Sequence, residues 1–90
     1  MRLDSFLSDT RLIKRRTQAK QACENGKVFL DQRMAKPGKE VKPGQVITIN
    51  FANRILEVEV LDIPRRSVRK EEAGNFYRVI REERRKEELF

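Results

Sequence analysis

Five basic residues fall between residues 11 and 20, and no acidic residue lies among them. A guanidinium group can form two parallel hydrogen bonds to a phosphate, and a lysine adds a compact positive charge. Lys20 follows Arg16 by four residues, which would place both side chains on one face of a helix. This pattern predicts a phosphate-binding surface, although an ordinary solvated helix face would have the same residue types. The five residues are Arg11, Lys14, Arg15, Arg16 and Lys20.

Other kinds of chemistry find little support in the residue types. The chain has no histidine and a single cysteine, Cys23, so it lacks a cysteine–histidine nucleophile and the usual ligands of a zinc site. Gly38-Lys39 is followed by Glu40, and Arg33 stands where a P-loop has its first glycine. We therefore expect no catalytic residue, no metal and no cofactor. Cys23 is expected to be a small core residue.

The charge balance favours a polyanionic partner. The 90 residues include 21 Lys and Arg against 14 Asp and Glu, which gives a net charge of +7. Residues 1–30 hold seven bases and three acids, residues 31–64 hold five of each, and residues 65–90 hold nine bases and six acids. No stretch approaches the roughly 18–20 apolar residues of a membrane span, so we expect a soluble, cytoplasmic protein. For such a chain the usual polyanion is nucleic acid, bound near the two ends of the sequence.

The spacing of apolar residues predicts the elements that carry these bases. Apolar residues at helical spacing indicate short helices over residues 3–9 and 16–25, and Asn25-Gly26 ends the second. Asp4 is expected to orient a nearby arginine or to cap the first helix rather than to perform chemistry. Runs rich in β-branched and alternating apolar residues predict strands over residues 28–30, 46–49 and 55–60.

The C-terminal part is predicted to contain a basic run, residues 65–70, followed by a helix over residues 73–88. Phe76 and Tyr77 share one face of that helix with other apolar residues, which favours packing over stacking on bases. The expected fold is α+β, with two short N-terminal helices packed on a small, mostly antiparallel sheet and a C-terminal helix. We expect a domain of residues 1–64 and a second segment of residues 65–90.

Motifs in the first half of the chain occur in a characteristic order. Arg2-Leu3-Asp4 precedes Phe6-Leu7, Arg16 is followed by Ala19, and residues 25–31 are Asn-Gly-Lys-Val-Phe-Leu-Asp. Together with residues 41–47, these motifs resemble the RNA-binding domain named after ribosomal protein S-four, over residues 1–51. Two positions depart from the family pattern. Asp31-Gln32 replaces the usual Asn-Gly, and Arg15 replaces the Ser or Thr that commonly caps the second helix.

The added strand, the basic run and the short C-terminal segment resemble small stand-alone members of that superfamily. These are the RqcP family of ribosome-associated quality-control factors and a related family of small heat-shock proteins that recycle large subunits. The resemblance implies that one basic face binds structured RNA, which proteins recognise mainly by shape, phosphate and 2′-hydroxyl contacts. The run at residues 65–70 fits RNA contact and a solvated linker equally well. The residues expected to bind RNA are Arg2, Arg11, Lys14, Arg15, Arg16, Lys20, Arg65 and Arg66.

The resemblance also implies a role. It indicates a non-catalytic, monomeric factor that binds ribosomal RNA of the large subunit and stabilises peptidyl-tRNA while stalled chains receive alanine tails. The implied protein partner is an alanine-tailing factor of the RqcH type. Alternatives stay open: a general structured-RNA-binding factor of ribosome assembly or recycling, or the RNA-binding part of an RNA-modifying enzyme. Two other interpretations are less favoured. One is that the basic residues only keep a small domain soluble, and the other is that a basic C-terminal helix binds anionic membranes.

Overall fold

The computed structural model describes residues 1–84, which form two helices, a five-stranded antiparallel sheet and a 3-10 helix before the last strand. The sheet order is β2-β1-β3-β4-β5. The predicted α+β class is confirmed, and no helix within residues 1–84 is long and apolar enough to cross a membrane. The elements are α1 (Leu3–Asp9), α2 (Arg16–Glu24), β1 (Val28–Leu30), β2 (Arg33–Met34), β3 (Val46–Asn50), β4 (Arg54–Val60), the 3-10 helix (Lys70–Asn75) and β5 (Tyr77–Arg84).

A single apolar cluster joins the helices to the sheet. Leu3, Phe6 and Leu7 of α1 are fully buried, and Ala19 and Cys23 of α2 belong to the same cluster. Alternate residues of β3 and β4 complete it, while the residues between them are only half-buried. This period of two is the one from which the strands were predicted. The strand residues of the cluster include Ile47, Ile49, Leu56, Val58 and Val60.

The helix predicted over residues 73–88 is wrong for residues 76–84, which follow the 3-10 helix and include β5. The 3-10 helix ends at Asn75, and β5 then runs beside β4 as a strand. Residues 85–88 of the predicted helix lie outside the described residues. The apolar positions at 73, 76, 77 and 80 satisfy a helical period, but as a strand the charged residues 77–84 pair with β4 and take the edge position of the sheet. Pairing with a distant part of the chain therefore outweighs a weak local pattern.

Cross-strand side chains suit this position of β5. Val79 lies opposite Val58, so it extends the apolar face of the sheet. On the other face Arg78 lies opposite Glu59, and the two side chains form an ion pair of 2.5 Å. Such directly opposed pairs each add a few tenths of a kcal/mol to about 1 kcal/mol in an antiparallel sheet. The proposed division between residues 64 and 65 stays a prediction, with β5 forming part of the common sheet.

Candidate nucleic-acid interface

Asp4 holds two of the predicted RNA-binding arginines beside each other. Its carboxylate is 2% exposed, and it accepts hydrogen bonds from Arg2 Nε at 3.1 Å and from Arg2 Nη2 at 3.2 Å. Arg16 Nε lies 3.9 Å from Asp4 Oδ2, the oxygen that Arg2 Nη2 also contacts, and the N–H of Ser5 donates to Oδ1 at 2.8 Å. The expectation that Asp4 orients a nearby arginine is confirmed. Both arginine side chains stay more than half exposed.

Backbone hydrogen bonds attach the N-terminal residues to a loop from the middle of the chain. The N–H of Leu3 donates to the carbonyl oxygen of Lys39 at 2.8 Å, and the N–H of Asp4 donates to that of Pro37 at 3.1 Å. The N–H of Val41 donates to the carbonyl oxygen of Met1 at 2.9 Å. The loop therefore stands directly beside Arg2.

This contact creates a basic groove of about 960 Å³, which we call the first groove. Arg2 and Lys20 were predicted to bind RNA, and they line it together with Met34, which is 67% exposed. The groove also contains three bases that the sequence analysis did not select. They are Arg33, Lys36 and Lys39.

The charge of the middle segment explains why these three bases were missed. Residues 31–64 are neutral in sum, but three of their five bases line the first groove, whereas Asp31 is the one acid of the five that does so. Glu59 pairs with Arg78 on the sheet, and Glu57 accepts a hydrogen bond from Thr48, so neither lines the first groove. A usable signal was present in the sequence. Residues 32–39 carry three bases and no acid around Pro37-Gly38, a turn that makes a base-rich loop.

Arg11 connects the α1–α2 turn to the basic run. Its backbone has a φ of 65°, and its Nε donates a hydrogen bond of 2.8 Å to the carbonyl oxygen of Val68. The N–H of Val68 donates to the carbonyl oxygen of Asp9 at 2.9 Å, and Ser67 Oγ donates to the carboxylate of Asp9 at 3.2 Å. Val68 itself is buried. The middle of the basic run, at Ser67 and Val68, is thus attached to the end of α1 and to the turn that follows it.

A second groove, of about 940 Å³, opens where the run meets β5. Arg11, Lys14 and Lys70 line it on the basic side. Its apolar side includes Tyr77, which also packs against the core, and Val79. Two elements that are far apart in sequence therefore enclose one mixed basic and apolar site.

The remaining predicted residues lie outside these two grooves. Arg65 and Arg66 are exposed and line a smaller cavity of about 290 Å³. Arg15 is exposed at the start of α2, where its side chain makes no capping hydrogen bond. The eight predicted residues thus do not form one continuous site. Their contact with RNA stays a prediction.

Cys23 is buried in the apolar cluster, as predicted. Burial, followed by the nearby carboxylates of Asp4 and Glu24, raises the pKa of its thiol to about 11. The thiol is therefore protonated near neutral pH and is a poor nucleophile. Within residues 1–84 no group of three acidic, cysteine or histidine side chains is arranged to hold a metal ion.

Comparisons with known proteins match this architecture. The family model of the S4 domain, the S-four type of RNA-binding domain, matches residues 1–47. The RQC P-site tRNA stabilizing factor of Halalkalibacterium halodurans is 46% identical over 92% of this chain and 93% of its own length. Its Bacillus subtilis counterpart is 40% identical over 93% of this chain and 96% of its own length. The trimeric structure of Vibrio cholerae Heat Shock Protein 15 superposes with a TM-score of 0.81 and 31% identity, over 88% of this chain and 80% of that one.

Proposed function

Because this chain belongs to the S4 domain family and to the family of RQC P-site tRNA stabilizing factors, we propose that it stabilises peptidyl-tRNA on the large ribosomal subunit. It does so without catalysis, during the quality-control process in which stalled chains receive alanine tails. The chain spans more than nine-tenths of both relatives, so the role that their name states concerns a protein of the same extent.

The observation that carries this proposal is the arrangement of Arg2 and Arg16 around buried Asp4. Held side chains lose little conformational entropy when they bind, so more of the interaction with phosphate appears as affinity. Each guanidinium still has donors directed away from Asp4 for a phosphate group. A rigid basic face of this kind suits RNA whose shape is already formed.

The tRNA is stabilised by differential binding. A factor that contacts tRNA in one position more strongly than in others shifts the population toward that position. Two basic surfaces are available, the first groove with Lys36 and Lys39, and the second groove with Lys14 and Lys70. One would bind ribosomal RNA of the large subunit, and the other would contact peptidyl-tRNA. The factor would act as a cytoplasmic monomer together with an alanine-tailing factor of the RqcH type.

A deletion strain of the native host tests this function. A reporter that stalls translation should lose its alanine tails in the strain, and the wild-type gene should restore them. A gene carrying Arg16→Ala should fail to restore them. Arg54→Ala is the matched control, because Arg54 lies over the Phe51 ring at 4.6 Å, away from both grooves. Tails of unchanged length and amount in the deletion strain would refute the quality-control role.

A second candidate is the recycling factor of large subunits that the resemblance to small heat-shock proteins implies, and the similarity to a Heat Shock Protein 15 structure favours it. Sedimentation distinguishes the two. The proposed function requires the tagged protein to be enriched on large subunits that retain peptidyl-tRNA. Equal binding to large subunits with and without tRNA would favour the second candidate, and binding to small subunits alone would refute both.

A further inference from the structure

The second groove combines basic, apolar and hydroxyl-bearing side chains in its lining. Arg11, Lys14 and Lys70 give it positive charge, and none of its lining residues is acidic. Neither lysine forms an ion pair with a carboxylate of residues 1–84. Tyr77 and Val79 give it an apolar surface, and Val79 is 51% exposed. The ligand must therefore combine negative charge with an apolar face.

Two hydroxyl groups on the wall of the groove restrict the ligand further. Ser8 Oγ donates its proton to the carbonyl oxygen of Ser5. Ser67 Oγ donates to the carboxylate of Asp9. A hydroxyl has one proton and two lone pairs, so these groups can only accept further hydrogen bonds. The wall thus suits ligand donors such as an exocyclic amino group or a 2′-hydroxyl.

We infer that the second groove binds an unpaired nucleotide of a structured RNA, an inference that rests on the proposed function. The nucleobase lies against Tyr77 and Val79, and the flanking phosphates face the three basic side chains of the groove. The hydroxyl oxygens accept hydrogen bonds from the edge of the nucleobase or from the ribose. Unstacked bases in loops and bulges are the part of RNA that proteins bind in this way. An acidic peptide would also supply charge, an apolar side chain and backbone N–H donors. RNA is favoured over it because RNA is the ligand of the proposed function.

Two RNA hairpins with identical stems provide the test, one fully paired and one with a single bulged nucleotide. Binding of each to the full chain is measured by fluorescence anisotropy at the same salt concentration. Stacking of one base on an aromatic residue is worth enough to change affinity about tenfold. We therefore expect the wild type to bind the bulged hairpin about tenfold more tightly than the paired one.

Two adjacent variants on β5 distinguish the effect of the groove on RNA binding from the effect of net charge. Val79→Glu places a carboxylate in the groove and should abolish the preference for the bulge. Ile80→Glu makes the same change at a residue of similar exposure, 45%, that does not line the groove, and it should keep the preference. Gly74→Leu is a neutral second variant. A Cβ atom at Gly74 meets nothing within 4 Å and the backbone φ there is not positive, so a leucine is accommodated at the groove wall while the protein stays folded.

The outcomes distinguish this inference from the proposed function. Equal affinity of the wild type for both hairpins would overturn the nucleotide site and leave RNA binding through the first groove intact. A preference that survives in both Val79→Glu and Gly74→Leu would also overturn it. Failure of the wild type to bind either hairpin would refute RNA binding itself, and the nucleotide site with it.

Discussion

Arg11 Nε donates a hydrogen bond to the carbonyl oxygen of Val68, 57 residues later in the chain. Arg11 was predicted only as an RNA contact, but this bond attaches the basic run to the turn between α1 and α2. Val68 is buried there, and its own N–H is bonded to Asp9. Arg11 consequently shapes the second groove as well as lining it.

Arg11→Ala should lower the free energy of unfolding by about 1 kcal/mol, the usual net value of one hydrogen bond. It should also speed hydrogen exchange at the Val68 amide, because the segment is held less firmly. Lys14→Ala, at the neighbouring base of the same groove, is the control and should leave both quantities unchanged. Denaturant unfolding and amide exchange measured by NMR check this prediction. Equal exchange rates in the wild type and Arg11→Ala would contradict the role given to the bond.

Asp4→Asn should weaken RNA binding by about threefold to tenfold, although it removes a negative charge from a basic protein. The reason is that the amide no longer holds Arg2 and Arg16 by charge. Glu24→Gln removes the same charge at an exposed position and should leave binding equal or slightly tighter. Anisotropy titrations of the two variants at one salt concentration make the comparison. Tighter binding by Asp4→Asn would mean that net charge alone governs affinity.

Lys36→Ala and Lys39→Ala should each reduce the slope of log affinity against log salt by about one unit, because each phosphate contact releases counterions. Both residues line the first groove, whereas the exposed Lys42 does not. Lys42→Ala is therefore the control and should keep the wild-type slope. Titrations at several salt concentrations give the slopes. An equal reduction in all three variants would show that the first groove is not a specific contact surface.

Cys23→Ala should leave RNA binding unchanged and cost about 1 kcal/mol of stability or somewhat more, through a small cavity. The thiol pKa is raised from 9.0 to about 11 in the folded protein, so the unfolded chain loses this proton first. Between pH 9 and 11 the unfolded state then binds fewer protons, and the free energy of unfolding falls as pH rises. Urea unfolding should show a smaller fall in Cys23→Ala than in the wild type. Parallel pH profiles would contradict the burial of the thiol.

Local patterns in the sequence determined most of the described fold. The helical spacing of Leu3, Phe6 and Leu7 predicts α1, and the alternation of Leu56 and Val58 with glutamates predicts β4. Each pattern works because one face of the element is buried, which requires a period of 3.6 or 2 in the sequence itself. The cluster of basic residues between 11 and 20 could also be predicted from sequence, because residues that are close in sequence lie on one surface.

Tertiary structure alone decided the features that join distant segments. β5 is a strand because its backbone pairs with β4 and several of its side chains match those opposite them, and the local pattern of residues 77–84 does not reveal that partner. The first groove exists because the N–H of Leu3 bonds to Lys39, which brings Lys36 and Lys39 beside Arg2. Local periodicity records which face of an element is buried. It does not record which other segment will satisfy its backbone groups, and that pairing determined where the charges meet.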